Sequence, residues 1–358
     1  MKTTFFCRVL NDPFNDPLLF VRFRRQSHAF TFDLGDISAL SAREVQKIVN
    51  VFVTHMHIDH FIGFDPLVRC LLGRETPVNI YGPEGIIEAV QSKLKGFTWN
   101  LIKQYPLKVE VCELTDSEAL RASFYAQEGF CRMDRPTLPK TPEILSYDGI
   151  SVEACGFDHG IPVLGYSLRE DFHINVNKAL LDERGFTVGP WLNTLKAAIR
   201  SGDNTQEFVL NNRVYTLEEL RCLVLIARGQ KVCYITDISP TQDNIDKAIA
   251  LAKDADVLYI EAFFLEADTE RSLRRNHLTT KLAGYIARQA GVKAVEIVHV
   301  SPKYINAYCN VISEVLAAFG SGGEGGGRRE EEGKESGDSA PPSTPSKGTS
   351  PLDPIKVP

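Results

Sequence analysis

The sequence predicts an α/β protein in which short buried strands alternate with amphipathic helices. Five segments are short, rich in β-branched residues and apolar on both faces, as strands buried in a sheet are. These segments are residues 50–54, 78–81, 232–236, 257–260 and 295–300. Apolar residues recur at helical spacing in 84–97, and similar patterns occupy 243–255 and 279–290. Strands that alternate with helices indicate layers of helix packed against sheet.

The composition of the 358-residue chain is typical of a soluble globular protein, with 43 % hydrophobic residues and a formal net charge of −6. It has no run of about eighteen apolar residues, so no membrane span is expected, and the N-terminus lacks the features of a signal peptide. The eight cysteines are scattered and form no CxxC pair, as is usual for reduced thiols. The acidic balance argues against a surface coated in basic charge but is compatible with a locally positive groove.

A change in composition near the C-terminus divides the chain into a folded unit and a tail. Residues 1–319 contain all the strand and helix patterns, and we expect them to form one domain. The remainder consists of Gly, Ser, Pro and charged residues with almost nothing to bury, so we expect 320–358 to be disordered. Within the folded unit, 114–147 and 170–228 show less regular patterns, and we expect loops or an inserted subdomain on the rim.

Four side chains that can bind metal follow the first of these predicted strands. They are His55, His57, Asp59 and His60, and they include three of the eight histidines in the chain. The strand ends at Thr54 and the chain then turns towards a helix, so the turn can direct four ligands around two points. Imidazole nitrogens suit Zn²⁺, and a carboxylate can complete the set. The alternative, a turn of surface histidines, gives no packing reason for such a group after a buried strand.

Three further residues of the same kinds lie in suitable places. His159 lies in the segment DHGIPVLGYSL, Asp237 directly follows an apolar strand, and His299 lies at the end of another. The ends of neighbouring buried strands converge on one edge of a sheet, so these side chains can meet the first group. A carboxylate such as Asp237 can bridge two cations about 3.5–4 Å apart, the spacing of two-metal hydrolases. The sequence therefore predicts a two-metal site.

This series of residues resembles the ligand series of the metallo-β-lactamase superfamily. Several segments are similar to the ribonuclease Z family in particular: THMHIDHFIG at 54–63, IYGPEG at 80–85, DHGIPVLGYSL at 158–168, YITD at 234–237, and the late stretch from HLTTKL to VHVSPKY at 277–304. The resemblance covers most of residues 30–305. It implies a four-layer αββα sandwich with the metals at one edge between two sheets, and an inserted arm.

The resemblance also implies a role for each of these residues. Two Zn²⁺ ions would be held by His55, His57 and His159 on one side, by Asp59, His60 and His299 on the other, and by Asp237 as the bridge. Glu261 would orient His277, which would give a proton to the leaving group, and Asp59 would also orient or deprotonate the attacking water. His28 and His173 match nothing in the family, and we expect both at the surface.

The chain departs from the family pattern at several positions. CRVLNDPFNDP replaces the usual glycine-rich loop near the N-terminus, 260–263 reads IEAF in place of HEAT, and Lys303 stands where Arg is usual. Asp33 fits the first Asp motif of the family, although the residues after it differ. Segment 170–201 contains VGPWLNTLKAAI, which is similar to the arm that grips tRNA, and Gly189 and Pro190 would mark it.

The function implied is that of a cytoplasmic endonuclease that removes the 3′ trailer from precursor tRNA. The alternatives are a hydrolase of small phosphodiesters or other esters on the same metal core, and a non-catalytic RNA-binding module derived from a nuclease. A di-iron redox protein of the superfamily is a further rival, but those proteins typically carry Glu where this chain has His57. The sequence does not decide between a monomer and a homodimer.

Overall fold

The computed structural model describes residues 4–24, 26–147, 149–320 and the backbone of 355–356, and two large β-sheets form its centre. In the first sheet each strand is hydrogen-bonded to the next one along the chain. Its eight strands are β1 (Phe5–Val9), β2 (Leu19–Phe23), β3 (Ala29–Phe32), β4 (Ile48–Phe52), β5 (Val78–Pro83), β6 (Lys108–Leu114), β7 (Glu118–Tyr125) and β8 (Arg132–Pro139). Strands β3 to β6 run parallel to one another.

Four helices lie on the connections between these parallel strands. They are α1 (Ala42–Val45), α2 (Ile58–Phe61), α3 (Phe64–Leu71) and α4 (Ile86–Lys95). Helices α2 and α3 are joined through Gly63, where a Cβ atom would lie 2.2 Å from the carbonyl oxygen of Gly35. Only glycine allows this close backbone approach, which holds the turn between β4 and α3 against the segment that follows β3.

Next come three antiparallel strands of the second sheet, β9 (Glu143–Tyr147), β10 (Ile150–Asp158) and β11 (Pro162–Glu170). The chain then forms a small separate unit, which we call the insertion (residues 172–228). Its elements are β12 (Phe172–Val176), α5 (Lys178–Glu183), α6 (Trp191–Ser201), β13 (Glu207–Leu210), β14 (Arg213–Thr216), α7 (Leu217–Arg221) and β15 (Val224–Arg228).

The insertion is closed by pairing of its first and last strands, β12 with β15, and it has an apolar core of its own that includes Leu195 and Phe208. Segment 170–201 is therefore only the first part of a unit that continues to residue 228. The chain returns to the large sheet beside the point where it left, with the Glu170 amide donating to the Gln230 carbonyl at 2.9 Å.

After the insertion, parallel strands complete the second sheet. They are β16 (Lys231–Ile235), β17 (Val257–Ile260) and β18 (Ala294–Ile297), and a two-residue strand, β19 (Ile355–Lys356), pairs antiparallel with β18. The sheet order is β19-β18-β17-β16-β11-β10-β9. The helices of this half are α8 (Gln242–Ala252), α9 (Thr269–Arg275), α10 (Thr280–Gln289) and α11 (Tyr308–Gly320). Short 3₁₀ turns occupy Ala126–Glu128, Glu266–Asp268 and Pro302–Ala307.

Three apolar clusters separate four layers, as the sequence predicted. One cluster joins helices α1 to α4 to the first sheet, and another joins α8, α10 and α11 to the second sheet. The third lies between the sheets, where Phe32 and Phe52 of the first face Tyr166 and Tyr234 of the second. The α/β class and the αββα sandwich are confirmed. None of the helices in the described ranges combines the length and hydrophobicity that a bilayer crossing requires.

The expectation of loops or an inserted unit in 114–147 was wrong, because this region supplies β7, β8 and β9 to the two sheets. Strand β8 lies at the edge of its sheet, is largely exposed and contains Pro136 and Pro139. Edge strands tolerate proline and need no apolar face, so their sequences do not look like strands. The predicted tail falls outside the described residues apart from Gly320, which ends α11, and the backbone of β19.

Candidate metal centre

The candidate site is built from residues that lie one or two positions after the carboxyl ends of parallel strands. Asp33 follows β3, Asp237 follows β16, and His299 follows β18. Each of the three is in the left-handed region, with φ of 56°, 56° and 61°. This conformation costs non-glycine residues about 1–3 kcal/mol and concentrates at functional sites. It ends each strand abruptly and allows side chains from both sheets to converge on one edge.

Four side chains form the first group. Atoms of His55, His57, His159 and Asp237 that can bind metal all lie within 4.8 Å of one another. Nε2 of His55 is 2.8 Å from Nδ1 of His57 and 3.3 Å from Oδ2 of Asp237. Burial and the neighbouring His60 lower the pKa of His55 to about 2. His55 is therefore a neutral imidazole, which is the form that binds a metal ion.

Asp59, His60 and His299 form a second group, again with candidate ligand atoms within 4.8 Å of one another. Nε2 of His60 lies 3.4 Å from an Asp59 oxygen, and Nε2 of His299 lies 3.5 Å from the same oxygen. Nε2 of His60 is buried and, although carboxylate oxygens lie nearby, makes no well-aligned hydrogen bond among the described residues. A buried nitrogen without such a bond, directed at carboxylates, is what a metal ligand looks like without its ion.

Asp237 lies between the two groups. Its Oδ2 is 3.3 Å from His55 Nε2 and 3.0 Å from His60 Nε2, while its Oδ1 is 2.5 Å from His299 Nδ1. Burial would raise the pKa of Asp237, but the adjacent His299 and His60 hold that pKa well below its usual value. The carboxylate is therefore ionised and shared by both groups, as a bridging ligand must be.

The same electrostatic pattern holds in the second group. Burial opposes the shift, but His299 and His60 hold the pKa of Asp59 below its usual value. Burial would lower the pKa of His299, whereas Asp237 and Asp59 raise it to about 9. Negative carboxylates thus face imidazole nitrogens in one buried cluster. Imidazole and carboxylate together make a donor set suited to transition-metal ions rather than to Mg²⁺ or Ca²⁺, so these residues fit metal ions.

Asp33 holds one of the histidines from behind. Its Oδ2 accepts hydrogen bonds from His60 Nδ1 at 2.8 Å and from the Tyr234 hydroxyl at 2.9 Å. Its Oδ1 accepts from the amide and the hydroxyl of Thr54, at 2.7 and 2.8 Å. A carboxylate bound to one imidazole nitrogen fixes the tautomer and directs the other nitrogen at the metal position. The sequence contains a signal for this role of Asp33. In FTFDLG an acidic residue follows a buried strand, as Asp237 does in VCYITD.

Replacing Asp33 should destabilise the fold even without metal. We expect Asp33→Ala to lower the free energy of unfolding by about 3 kcal/mol or more, because each buried polar partner left unpaired costs about 1–3 kcal/mol. Urea unfolding with excess chelator measures this without a contribution from bound metal. The exposed Asp134, which pairs with Arg132, provides a control, since losing a surface ion pair costs about 0–1 kcal/mol. A loss no larger than that of Asp134→Ala would contradict the prediction.

His159 is held by a reciprocal contact with the segment before His277. Nδ1 of His159 donates to the Asn276 carbonyl at 2.6 Å, and the Asn276 side chain donates to the His159 carbonyl at 3.3 Å. Asn276 has a left-handed φ of 58°. This contact brings the rings of His159 and His277 to 4.7 Å, so the two segments meet at the metal edge.

Glu261 and His277 form a carboxylate–imidazole pair beside the cluster. Nδ1 of His277 lies 2.8 Å from Oε2 of Glu261, and Oε1 of Glu261 accepts from the Ile238 amide at 2.7 Å. Glu261 is fully buried. Because an ionised carboxylate only accepts, we assign the Nδ1 proton to this bond. Nε2 is then the ring nitrogen that can carry a proton to a substrate.

The structure brings all nine predicted site residues to one edge of the sandwich. The expectation that His173 lies at the surface was wrong, because it is buried, with Nδ1 3.3 Å from Oε1 of Glu170. It lies in β12, where the insertion joins the second sheet, and no pattern near it in the sequence indicates this packing. His28 is half-exposed, in line with the expectation.

Comparison with known proteins relates this arrangement to other chains. The model of the Beta-lactamase superfamily domain matches residues 7–123. Ribonuclease BN of Cronobacter sakazakii is 30 % identical over 279 residues, which are 76 % of this chain and 78 % of that protein. Ribonuclease Z of Deinococcus radiodurans is 29 % identical over 274 residues, 76 % of this chain and 81 % of that protein. The metallo-beta-lactamase fold protein YhfI of Bacillus subtilis shares the fold, with a TM-score of 0.51 at 13 % identity over 88 % of this chain and 92 % of that one.

Proposed function

The chain belongs to the ribonuclease Z and ribonuclease BN family of metal-dependent hydrolases, and from this premise we propose that it is a two-zinc endonuclease that removes the 3′ trailer of precursor tRNA. The observation that carries the proposal is Asp237, whose two oxygens reach both ligand groups. The pair Glu261–His277 beside it supplies an acid for the leaving group. A metal pair with an adjacent acid suits hydrolysis of a phosphodiester.

The proposed zinc ligands are those that the geometry groups together. One ion would be held by His55, His57 and His159, the other by Asp59, His60 and His299, with Asp237 shared. When bound, two such ions activate a water molecule and stabilise charge on the phosphoryl oxygens. Carboxylate oxygens and imidazole nitrogens drawn from one cluster would provide the charge and the lone pairs that this requires.

The protein side chains would handle the protons of the reaction. The half-buried Asp59 can accept a hydrogen bond from the attacking water and orient it towards phosphorus. As the bond between phosphorus and the 3′-oxygen breaks, Nε2 of His277 gives its proton to that oxygen. Glu261 holds Nδ1 of the imidazole in place, because the carboxylate is itself fixed by the Ile238 amide. The products are a tRNA with a free 3′-hydroxyl and a trailer with a 5′-phosphate.

The insertion would bind the body of the tRNA. It contains the Gly189-Pro190 pair directly before α6, and its exposed basic side chains include Arg184 and Arg213. Arginine on an exposed surface contacts backbone phosphates without reading sequence. Because the insertion has its own core, substitutions of its surface residues should leave the ligands undisturbed.

Removing charge from the insertion should weaken tRNA binding and spare the chemistry. Deleting 170–201 would cut through the closed unit, so we choose the double variant Arg184→Gln, Arg213→Gln. We expect KM for precursor tRNA to rise about tenfold and the salt dependence of log K to flatten by about one unit per lost phosphate contact. Turnover of bis(p-nitrophenyl) phosphate should be unchanged.

A matched control removes two charges elsewhere. Helix α4 begins directly after Gly85, which lies next to Met56 of the metal turn, and ends at the exposed Lys95. The exposed Lys103 precedes β6, which runs parallel to β5 and therefore begins at the edge of the sheet opposite the metal turn. Lys95→Gln, Lys103→Gln should leave KM for tRNA nearly unchanged. An equal effect of both double variants would mean that overall charge, and not the insertion, governs binding.

The substrate class is tested directly by comparing two substrates on purified protein. We expect cleavage of a 3′-extended tRNA at one position, directly after the discriminator base, with kcat/KM well above that for the chromogenic diester. Hydrolysis of the diester with no cleavage of the tRNA would instead favour a small-molecule phosphodiesterase built on the same metal core.

A further inference from the structure

Phe263 lies against the imidazole of His277. The two rings are stacked with centroids 3.9 Å apart and an interplanar angle of 9°. The edge of Phe263 also meets His299, at 5.0 Å and 65°. Phe263 is half-buried and follows Glu261 by two residues, at the position where this chain has IEAF in place of HEAT. It therefore contacts the proposed acid on one side and a proposed metal ligand on the other.

The hydrogen bond from His277 to Glu261 does not by itself fix the imidazole. It sets the place of Nδ1, at 2.8 Å from the carboxylate, but the ring can still rotate about that bond. The terminal torsion of histidine is broad and gives little resistance to such rotation. A flat aromatic ring at van der Waals distance removes this freedom, because tilting the imidazole would drive it into the phenyl face.

Phe263 is itself held firmly. The backbone after β17 continues to pair with the backbone after β18, where the Ala262 amide donates to the His299 carbonyl at 3.4 Å and the Ser301 amide to the Phe263 carbonyl at 3.1 Å. The ring also packs against Phe264, at 4.9 Å and 70°. Phe263 is thus held by the segment that carries His299 and packs in turn against His277.

We propose that Phe263 is a positioning residue that fixes the ring plane of His277, so that Nε2 meets the leaving oxygen of the substrate. The inference rests on the proposed role of His277 as the acid. Loss of the stack allows the ring to tilt, and a displacement well under 1 Å at Nε2 lowers the rate of proton transfer. Substrate affinity and metal binding do not depend on this plane.

The test compares Phe263→Leu with the wild type on a 3′-extended tRNA and on bis(p-nitrophenyl) phosphate. We expect kcat on the tRNA to fall about tenfold, since misplacement by 1 Å costs on the order of a hundredfold. KM, metal content and hydrolysis of the nitrophenyl ester should be unchanged, because nitrophenolate leaves without a proton. Phe263→Tyr should recover most of the rate, and Phe263→Met serves if the leucine variant is poorly folded.

Two further variants make the outcomes distinct. Phe97→Leu removes an exposed phenyl that contacts Trp99 outside the site and should have no effect. If His277→Ala loses rate only on the tRNA while Phe263→Leu loses none, the positioning role of Phe263 is wrong and the acid stands. If His277→Ala loses equally on both substrates, both assignments fail. Loss of metal in Phe263→Leu would also overturn the inference, because the ring would then support His299.

Discussion

Asp237→Ala should lose metal from both halves of the site and lower activity to the uncatalysed background. The carboxylate lies 3.0 Å from His60 Nε2, 3.3 Å from His55 Nε2 and 2.5 Å from His299 Nδ1. Asp237 also forms a third group of candidate ligands with His277 and His299, and no other carboxylate in the described part of the chain belongs to more than one group. If this carboxylate is removed, no shared anion offsets the repulsion between two cations about 3.5–4 Å apart.

Elemental analysis after dialysis against a weak chelator measures the effect. We expect about two zinc ions per wild-type chain and fewer than one in Asp237→Ala, as expected for a two-metal site. Two undisturbed metals in the variant would show that Asp237 is not the bridge. One metal in the wild type would show that the two groups do not act together.

The backbone of Asp237 requires its own control. At φ 56° alanine is strained, whereas asparagine tolerates this region, so Asp237→Asn separates loss of charge from strain. Asp254 provides a second control, because it has the same φ of 56° but is exposed and away from the site. Asp254→Ala should lower stability without changing metal content. Equal metal loss in both alanine variants would point to a general effect of backbone strain.

The convergence of the candidate ligands was easier to predict from the sequence than the full set of strands, and the physical reason is local. A ligand at the end of a buried apolar strand is visible in one short segment, as in YITD, which ends at Asp237, or in VEIVHV, which contains His299. Parallel pairing then brings the carboxyl ends of these strands to one edge of the sheet, whatever the register of the other strands. Strand β17 was predicted with its observed bounds for the same reason, since both of its faces are covered.

Features that depend on distant contacts could not be predicted. The hydroxyl of Tyr234 bonds to Asp33 across 201 residues of chain, and nothing near either residue indicates the pair. The burial of His173 depends on Glu170 and on Thr4, 169 residues away, and the stack of Phe263 on His277 depends on how the chain reverses between them. A residue in the left-handed conformation ends a strand earlier than the apolar pattern suggests. His299 has a φ of 61°, which explains why the strand predicted at 295–300 ends at Ile297.

His277→Ala should retain both metal ions and substrate affinity but lose about 10²–10⁴ in kcat on a 3′-extended tRNA, the usual contribution of a general acid. His277 lies close to the ligands, with Nδ1 3.5 Å from Asp237, but that nitrogen is already committed to Glu261 at 2.8 Å. Elemental analysis and titration with uncleaved tRNA measure metal content and affinity, and single-turnover kinetics measure the chemical step.

Glu261 acts through His277, so its replacement should cost less. Glu261→Gln keeps one acceptor but cannot accept from both the Ile238 amide and the imidazole, which share the carboxylate in the native protein. The double variant should be little slower than His277→Ala alone, because two residues that act as a unit lose their effect together. Multiplied losses in the double variant would mean that Glu261 has an independent role.

The leaving group decides whether His277 is the acid. Nitrophenolate is a stable anion, so the loss in His277→Ala should nearly vanish for bis(p-nitrophenyl) phosphate, whereas the 3′-oxygen of RNA needs a proton as it departs. The imidazole lies 4.7 Å from the His159 ring and 5.7 Å from the His299 ring, so a role in metal binding is the rival explanation. That rival predicts equal losses on both substrates together with a fall in metal content, and the proton-donor role predicts neither.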